Sequence, residues 1–288
     1  MEKRVGNIEE RAQQLKKKRP EYGAVLDFYV KVRMLQDASR AALPQEILEF
    51  KREEPGRRIA EDSSLIQKKD FPVALEAAVN LFQSLCKIGR TANSHFAIEV
   101  EKIQQASKNK KLDLKKLISS QREEQSIRQV AVELGLDRHV LLFLVQNSVR
   151  PSIEAGREEL GNEFEMERWT QCKCPVCSSQ PKLSLLKGEG GMRYSLCSFC
   201  GFEWRIKRLS CAFCDNAEQG FMEYFHGEGE EAHRIDLCNK CNHFIKTIDC
   251  RVLDAPDPHL EDLATLHLNV LAVEKGYKSP ASDFLGGI

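Results

Sequence analysis

The chain has 288 residues with 43 Lys+Arg and 43 Asp+Glu, so its formal net charge is zero. That balance argues against a protein whose main task is to coat nucleic acid, which carries a basic excess. The longest strongly apolar run, Val140-Leu141-Leu142-Phe143-Leu144-Val145, is far below the roughly 18 residues a bilayer span needs. The opening MEKRVGNIEERAQQLKKKRP is charged throughout and has no apolar secretory core, so a cytoplasmic protein without membrane insertion is expected.

From residue 1 to about 165 the pattern is helical. Tyr22, Val25, Tyr29 and Val32 recur at three- and four-residue spacing, as do Leu75, Val79, Phe82 and Cys86, and then Ile127, Val130 and Leu134. The segment HVLLFLVQNSV is apolar nearly all round and predicts the most buried helix. Pro44, Pro55, Pro72 and Pro151 are expected at helix starts or stops. Cys86 falls on an apolar face and is expected to be packing rather than a reactive thiol. Around GNEFEMERWTQCK this periodicity ends.

From 174 to 250 short alternating runs and Gly-rich turns predict a small β module. It holds an internal repeat. CPVC, a strand, Gly188-Glu189-Gly190-Gly191, a strand, CSFC and GFEWRIKRLS form one half. CAFC, a strand, Gly227-Glu228-Gly229, a strand, CNKC and NHFIKTID form the other. Four Cys-x-x-Cys pairs in a reducing compartment are metal knuckles far more often than disulfides. The whole reads as α+β: a helical domain over 1–165, then a double rubredoxin-like or zinc-ribbon module with a C-terminal helix over 170–288. DPHLEDLATLHLNVLAVEKGY supplies that helix, with Leu260, Leu263, Leu266 and Val270 in phase, and SPASDFLGGI is a tail.

Length decides how the cysteines group. FEWRIKRLS lacks Gly and Pro and reads as one nine-residue strand of about 30 Å. Thiolates on one metal, each about 2.3 Å from it, lie within roughly 4.6 Å of each other. The expected sites are therefore Cys174, Cys177, Cys197 and Cys200, and Cys211, Cys214, Cys238 and Cys241, with a cross-braced pairing as the alternative. Four soft sulfurs close the shell around zinc or iron and leave no position for substrate or water, which argues against hydrolysis at the metal. Cys172 and Cys250 lie just outside the module and are expected to be bystanders; His226, His233 and His243 are expected at the surface. Arg205, Lys207 and Arg208 raise nucleic-acid binding as an alternative, but no aromatic stacking platform accompanies them. A phosphate loop, a nucleophile elbow and HExxH are all missing from the sequence.

The four knuckles in this order, CSFCGFEW with a basic continuation, RIDLCNKCNHFIKTID with Lys246, EDLATLHLNVLAVEKGY, and the early AVLDFYVKVRMLQ resemble the FdhE family of formate dehydrogenase accessory proteins. Two departures stand out: Ser178 occupies a place the family usually gives to Gly, so site one is expected to be looser, and SDFLGG only loosely matches the family's tail. The resemblance implies a cytoplasmic, non-enzymatic maturation factor that binds the catalytic subunit of respiratory formate dehydrogenase. It also implies two metal ions per chain, iron rather than zinc. From the residues alone, a small electron-transfer protein with two Fe(Cys)4 centres and a nucleic-acid-binding zinc-ribbon protein stay open beside it.

Overall fold

The structure, a computed structural model, describes residues 2–44, 64–119, 124–161, 169 and 171–279. Pro55 and the SDFLGG tail lie outside the described residues. The α+β class is borne out: helices lead, a sheet follows, and helices close the chain. Two compact units form. One comprises Met1–Leu26, Glu53–Gln67 and Leu160–Ser282; the other comprises Asp27–Arg52, Lys68–Glu159 and Asp283–Ile288.

The second unit is helical. Its described elements are most of α2 (Gly23–Ala41), then α3 (Leu75–Gly89), α4 (Ser94–Lys108), α5 (Leu114–Ser119), α6 (Glu124–Leu134) and α7 (Arg138–Gly161). Val140 to Val145 are all buried, as the unbroken apolar run of α7 requires. Phe143 meets Phe28 and Phe96 at ring-centroid distances of 5.8 and 5.6 Å, an aromatic knot between three helices. Gly89 permits it: a Cβ there would come within 2.4 Å of the Phe96 ring. Asn93 caps α4 by accepting from the Phe96 N–H at 2.8 Å. Cys86 is 1% exposed, and burial pushes its thiol up to about 12, so it packs and does not react.

Pro151 does not end a helix. α7 runs through it, although proline removes the N–H that the Asn147 carbonyl would accept. The buried Gln36 side chain supplies the missing donor: its Nε2 lies 3.0 Å from Asn147 O. A second departure concerns the face begun by Tyr22, which ends the short turn Pro20–Tyr22 before α2: Tyr22, and Val25 and Tyr29 of α2, are only half-buried while Val32 is buried. A tyrosine hydroxyl needs a polar partner, which keeps such side chains at the margin of a core.

The first unit carries α1 (Glu2–Lys18) and a six-stranded sheet: β1 (Pro181–Lys187), β2 (Met192–Cys197), β3 (Glu203–Arg205), β4 (Met222–Phe225), β5 (His233–Cys238) and β6 (His243–Asp249). The strand order is β3-β2-β1-β6-β5-β4. Each half of the repeat is an antiparallel ribbon of three strands, turned at Gly188–Gly191 and Gly227–Glu230. The halves join through β1 and β6, which run parallel with Leu183 opposite Lys246 and Leu185 opposite Ile248. The two ribbons thus form one continuous sheet.

One face of this sheet buries Leu183, Leu185, Leu196 and Ile248 in one cluster, and Ile235, Leu237 and Phe244 in another. The second cluster is closed by Leu268 and Ala272. These come from α9 (Leu266–Glu274), which follows α8 (Pro258–Leu263). The sequence pattern implied one helix with Val270 in phase. Instead the helix breaks at Ala264–Thr265, and Val270 is 56% exposed.

The break has a cause in Lys246. This side chain is 2% exposed, and its ammonium donates to Asp262 Oδ1 (2.8 Å), Asp262 O (2.9 Å) and Thr265 O (2.9 Å). Three donors meet three acceptors, two of them carbonyls of the turn between α8 and α9 that also accept the Thr265 and Leu268 N–H groups at 3.2 Å. Burial lowers the Lys246 pKa. Burial also opposes the Asp262 charge, but Lys246 and Lys182 outweigh it and hold that carboxyl well below the usual range.

Candidate metal centre

Each knuckle begins from a backbone turn. The residue after the second cysteine is left-handed in all four: Ser178 (φ 55°), Gly201 (φ 69°), Asp215 (φ 54°) and Asn242 (φ 56°). The N–H groups of Ser178, Asp215 and Asn242 return to the carbonyls of Cys174, Cys211 and Cys238 at 2.8, 3.1 and 2.8 Å. The turn aims both sulfurs of a pair to one side. Ser178 therefore keeps the turn that glycine favours, at a conformational cost glycine avoids.

Hairpin folding then brings two knuckles together in each ribbon. The sulfurs of Cys174, Cys177, Cys197 and Cys200 all lie within 4.8 Å of one another, as do those of Cys211, Cys214, Cys238 and Cys241. Individual separations are 3.7 Å for Cys174–Cys200, 3.5 Å for Cys177–Cys197 and 3.6 Å for Cys177–Cys200. In the other set Cys211–Cys241 are 3.7 Å apart and Cys214–Cys238 are 3.8 Å. A tetrahedron with metal–sulfur bonds of about 2.3 Å has edges of about 3.8 Å. The donor sets match that geometry in ligand type, number and spacing, so both groups can hold a metal ion.

Backbone N–H groups favour negative charge at particular sulfurs. The N–H groups of Phe199 and Cys200 point at Cys197 Sγ, each at 3.4 Å, and the Phe213 N–H points at Cys211 Sγ at 3.4 Å. Burial opposes charge on Cys197, but hydrogen bonds from the neighbouring thiols and from the Cys200 N–H bring its pKa well below the ordinary value. Cys174 and Cys200 move well above it, chiefly through burial. Four crowded thiolates repel one another and need a cation between them to ionise together.

The nine-residue strand expected at FEWRIKRLS is shorter. β3 ends at Arg205, because pairing with β2 finishes where the Ile206 N–H meets Arg193 O at 3.0 Å. Residues beyond it turn back toward the second knuckle pair. Lys207 pairs with Asp215, and Arg208 donates to Gly190 O at 2.9 Å, so two of the three basic residues on this stretch serve the fold.

The two sets have different surroundings. All four cysteines of site one are buried. Its first knuckle is covered from outside the ribbon, where the N–H groups of Leu65 and Ile66 meet Pro175 O and Val176 O, each at 2.9 Å. Trp204 is 1% exposed and its indole donates to Gln171 O at 3.3 Å; Trp169 donates to Lys173 O at 2.9 Å. Site two has Cys211 and Cys238 buried, Cys241 half-buried and Cys214 exposed. Cys172 lies against it, with its Sγ 3.5 Å from Cys211 O, while Cys250 packs beside the Leu183–Ile248 cluster.

Between the ribbons, the buried Arg193 donates to Ser184 Oγ (3.2 Å), Ser210 O (2.8 Å) and Asp236 Oδ2 (2.9 Å), and Thr247 completes the carboxylate at 2.6 Å. His233, expected at the surface, is buried. Its Nε2 lies 2.9 Å from Oε2 of Glu261, a residue of α8. His243 Nδ1 lies 2.7 Å from Cys241 O, and its ring is 5.3 Å from that of Phe213. His226 is exposed. The cover over site one by residues 64–66 had no signal in the sequence: nothing near those residues marks them as partners of a knuckle more than a hundred positions away.

Two ribbons on one sheet, each with a tetracysteine set and preceded in the chain by a run of helices, define a tandem rubredoxin-like module. The family model described as "FdhE, central domain" matches residues 173–208, and "FdhE, C-terminal domain" matches residues 209–285. The chain is 32% identical over 158 residues to a protein named "Protein FdhE homolog" from Aquifex aeolicus, covering 54% of this chain and 55% of that one. It is also 32% identical over 123 residues to a protein of the same name from Stutzerimonas stutzeri, covering 41% of this chain and 40% of that one. The chain thus spans about half the length, or less, of these curated relatives in the matched stretches. In fold it is similar to the crystal structure of the FdhE protein from Pseudomonas aeruginosa, with TM-score 0.68 and 20% identity over 96% of this chain and 93% of that one. Together these findings support the FdhE family for this chain. Among the described residues no helix is long and apolar enough to cross a membrane.

Proposed function

We propose that the protein is a cytoplasmic maturation factor for respiratory formate dehydrogenase, that it engages the enzyme's catalytic subunit, and that it is not itself an enzyme. The observation that carries this reading is the pair of four-sulfur groups on one continuous sheet, in a chain with two FdhE domains. Cys174, Cys177, Cys197 and Cys200 ligate one metal ion, and Cys211, Cys214, Cys238 and Cys241 another. Iron is the expected metal. Held by four thiolates it supplies one-electron chemistry, and as zinc the same sites supply shape alone.

The chain's own residues do the rest. The left-handed turns set the sulfurs, and the N–H groups of Phe199, Cys200 and Phe213 stabilise negative charge on them. The Arg193–Asp236 pair ties the ribbons together, so the relative placement of the two sites is fixed by the sheet. Four protein sulfurs per metal leave no coordination position for a substrate, which suits a binding and sensing part rather than a catalyst.

Tagged capture of the protein from its anaerobically grown source, with mass spectrometry of co-purifying chains, tests the reading. Recovery of a formate dehydrogenase catalytic subunit is expected. Recovery of nucleic acid and its enzymes, with no oxidoreductase, would overturn it.

A further inference from the structure

The two sulfur groups share one repeat but not one environment. Site one is closed on every cysteine, and its first knuckle carries an outside cover at Leu65 and Ile66. At site two Cys214 faces solvent and Cys241 is partly open. A metal held by four thiolates leaves when one sulfur is displaced by a competing ligand, and that ligand must first reach the sulfur. At site one reach requires local opening of the cover and the ribbon; at site two it requires none.

We infer that site two is the exchange site of the module, where metal enters and leaves with Cys214 the first thiolate to detach, while site one keeps its metal as a structural knot. The inference rests on reading both groups as metal sites. In the step itself, the metal–Cys214 sulfur bond breaks, an incoming soft ligand forms its bond to the metal, and the freed thiolate takes a proton from water. No electron moves. The neighbouring groups favour Cys214 as the point of entry. Cys211 and Cys238 are buried, and the Cys238 knuckle is held at its end by the Lys278 N–H on Asn242 O at 2.9 Å.

The test uses the full chain loaded with zinc and a chromophoric pyridylazo chelator, after metal per chain has been measured. Two zinc ions per chain are expected, released in two phases of equal amplitude. The fast phase should exceed the slow one by at least about tenfold, equivalent to ~1.4 kcal/mol of additional opening at site one. N-Ethylmaleimide added during the fast phase and mapped by peptide mass spectrometry should label Cys214, Cys241, Cys211 and Cys238, and leave Cys174, Cys177, Cys197 and Cys200 unlabelled. Release in a single phase, or early label on the site-one cysteines, overturns the inference but leaves both metal sites standing. Fewer than two zinc ions on the intact chain overturns it together with the metal reading.

Discussion

Gln36 Nε2 donates to the Asn147 carbonyl at 3.0 Å, and that carbonyl is the one that Pro151, four residues later, leaves without a helical N–H. Proline inside a helix is usually penalised by about 3 kcal/mol. Here a buried amide from a neighbouring helix takes the place of the lost donor. Gln36→Leu should cost about 1–3 kcal/mol in urea unfolding, because a buried acceptor is left unmatched. In a Pro151→Ala background the same substitution should cost clearly less, since an alanine at that position supplies its own backbone N–H. Equal costs in both backgrounds would show that the amide does not substitute for the proline's missing bond.

Lys246 is the second buried polar group whose partners are fully matched. Removing it takes away the nearer of the two cations beside the buried Asp262 carboxylate, leaving Lys182 at 3.2 Å, and removes one donor from each of two carbonyls at the α8–α9 break. Lys246→Met is expected to destabilise the first unit by about 3–5 kcal/mol. The double variant Lys246→Met/Asp262→Leu should recover much of that loss, because the buried carboxylate goes with its ammonium and the Lys182 it leaves behind is partly open to water. Denaturant unfolding of the zinc-loaded proteins reads both values; a double variant no better than the single would refute the pairing argument.

Ser178 occupies a left-handed turn position that its side chain disfavours. The strain is roughly 1–2 kcal/mol, and glycine gives back roughly 0.4–1 kcal/mol through the greater freedom of the unfolded chain. Ser178→Gly should therefore raise the unfolding midpoint by the equivalent of about 0.5–1 kcal/mol, and Ser178→Val should lower it. Asp215→Gly and Asn242→Gly should gain less, since Asp and Asn tolerate this region better. A stability loss in Ser178→Gly would mean that the serine makes a contribution the turn geometry does not account for.

Glu154 gives a pH dependence with a defined sign. Burial alone would raise its carboxyl, but Arg150 and Arg33 outweigh that and bring it down to about 2. An ordinary glutamate titrates near about 4.3 when unfolded. The folded pKa is depressed, so the stabilisation is complete above that value and is lost as pH falls toward about 2. Glu154→Gln should cost on the order of 2 kcal/mol at about pH 7, and the difference from the parent should shrink between about pH 4.5 and about pH 2. Comparing the two proteins at each pH cancels the effect of acid on the thiolates. A difference that holds constant across that whole range would mean that Glu154 is not charged in the fold.

The sequence made the cysteine module legible because the information is local. Knuckle spacing, the GEG turns and alternating strands repeat within about forty residues, and a hairpin needs no distant partner to form. The apolar run of α7 was equally plain. His233 was misread because its partner Glu261 comes from α8, and Val270 because a buried lysine breaks the last helix and resets its phase. Pro151 was misread for the same kind of reason, its partner being more than a hundred residues away in sequence.

By itself, then, the sequence determined the class, the repeat and the eight cysteines that form two sets of four, because thiol chemistry and turn geometry act over a few residues. Only the tertiary structure decided that the ribbons fuse through parallel β1 and β6, that residues 64–66 cover one set, and that Cys214 stays open at the other. Those outcomes depend on which distant segments pack together. Burial and long-range hydrogen bonds choose among packings that local spacing leaves equally possible.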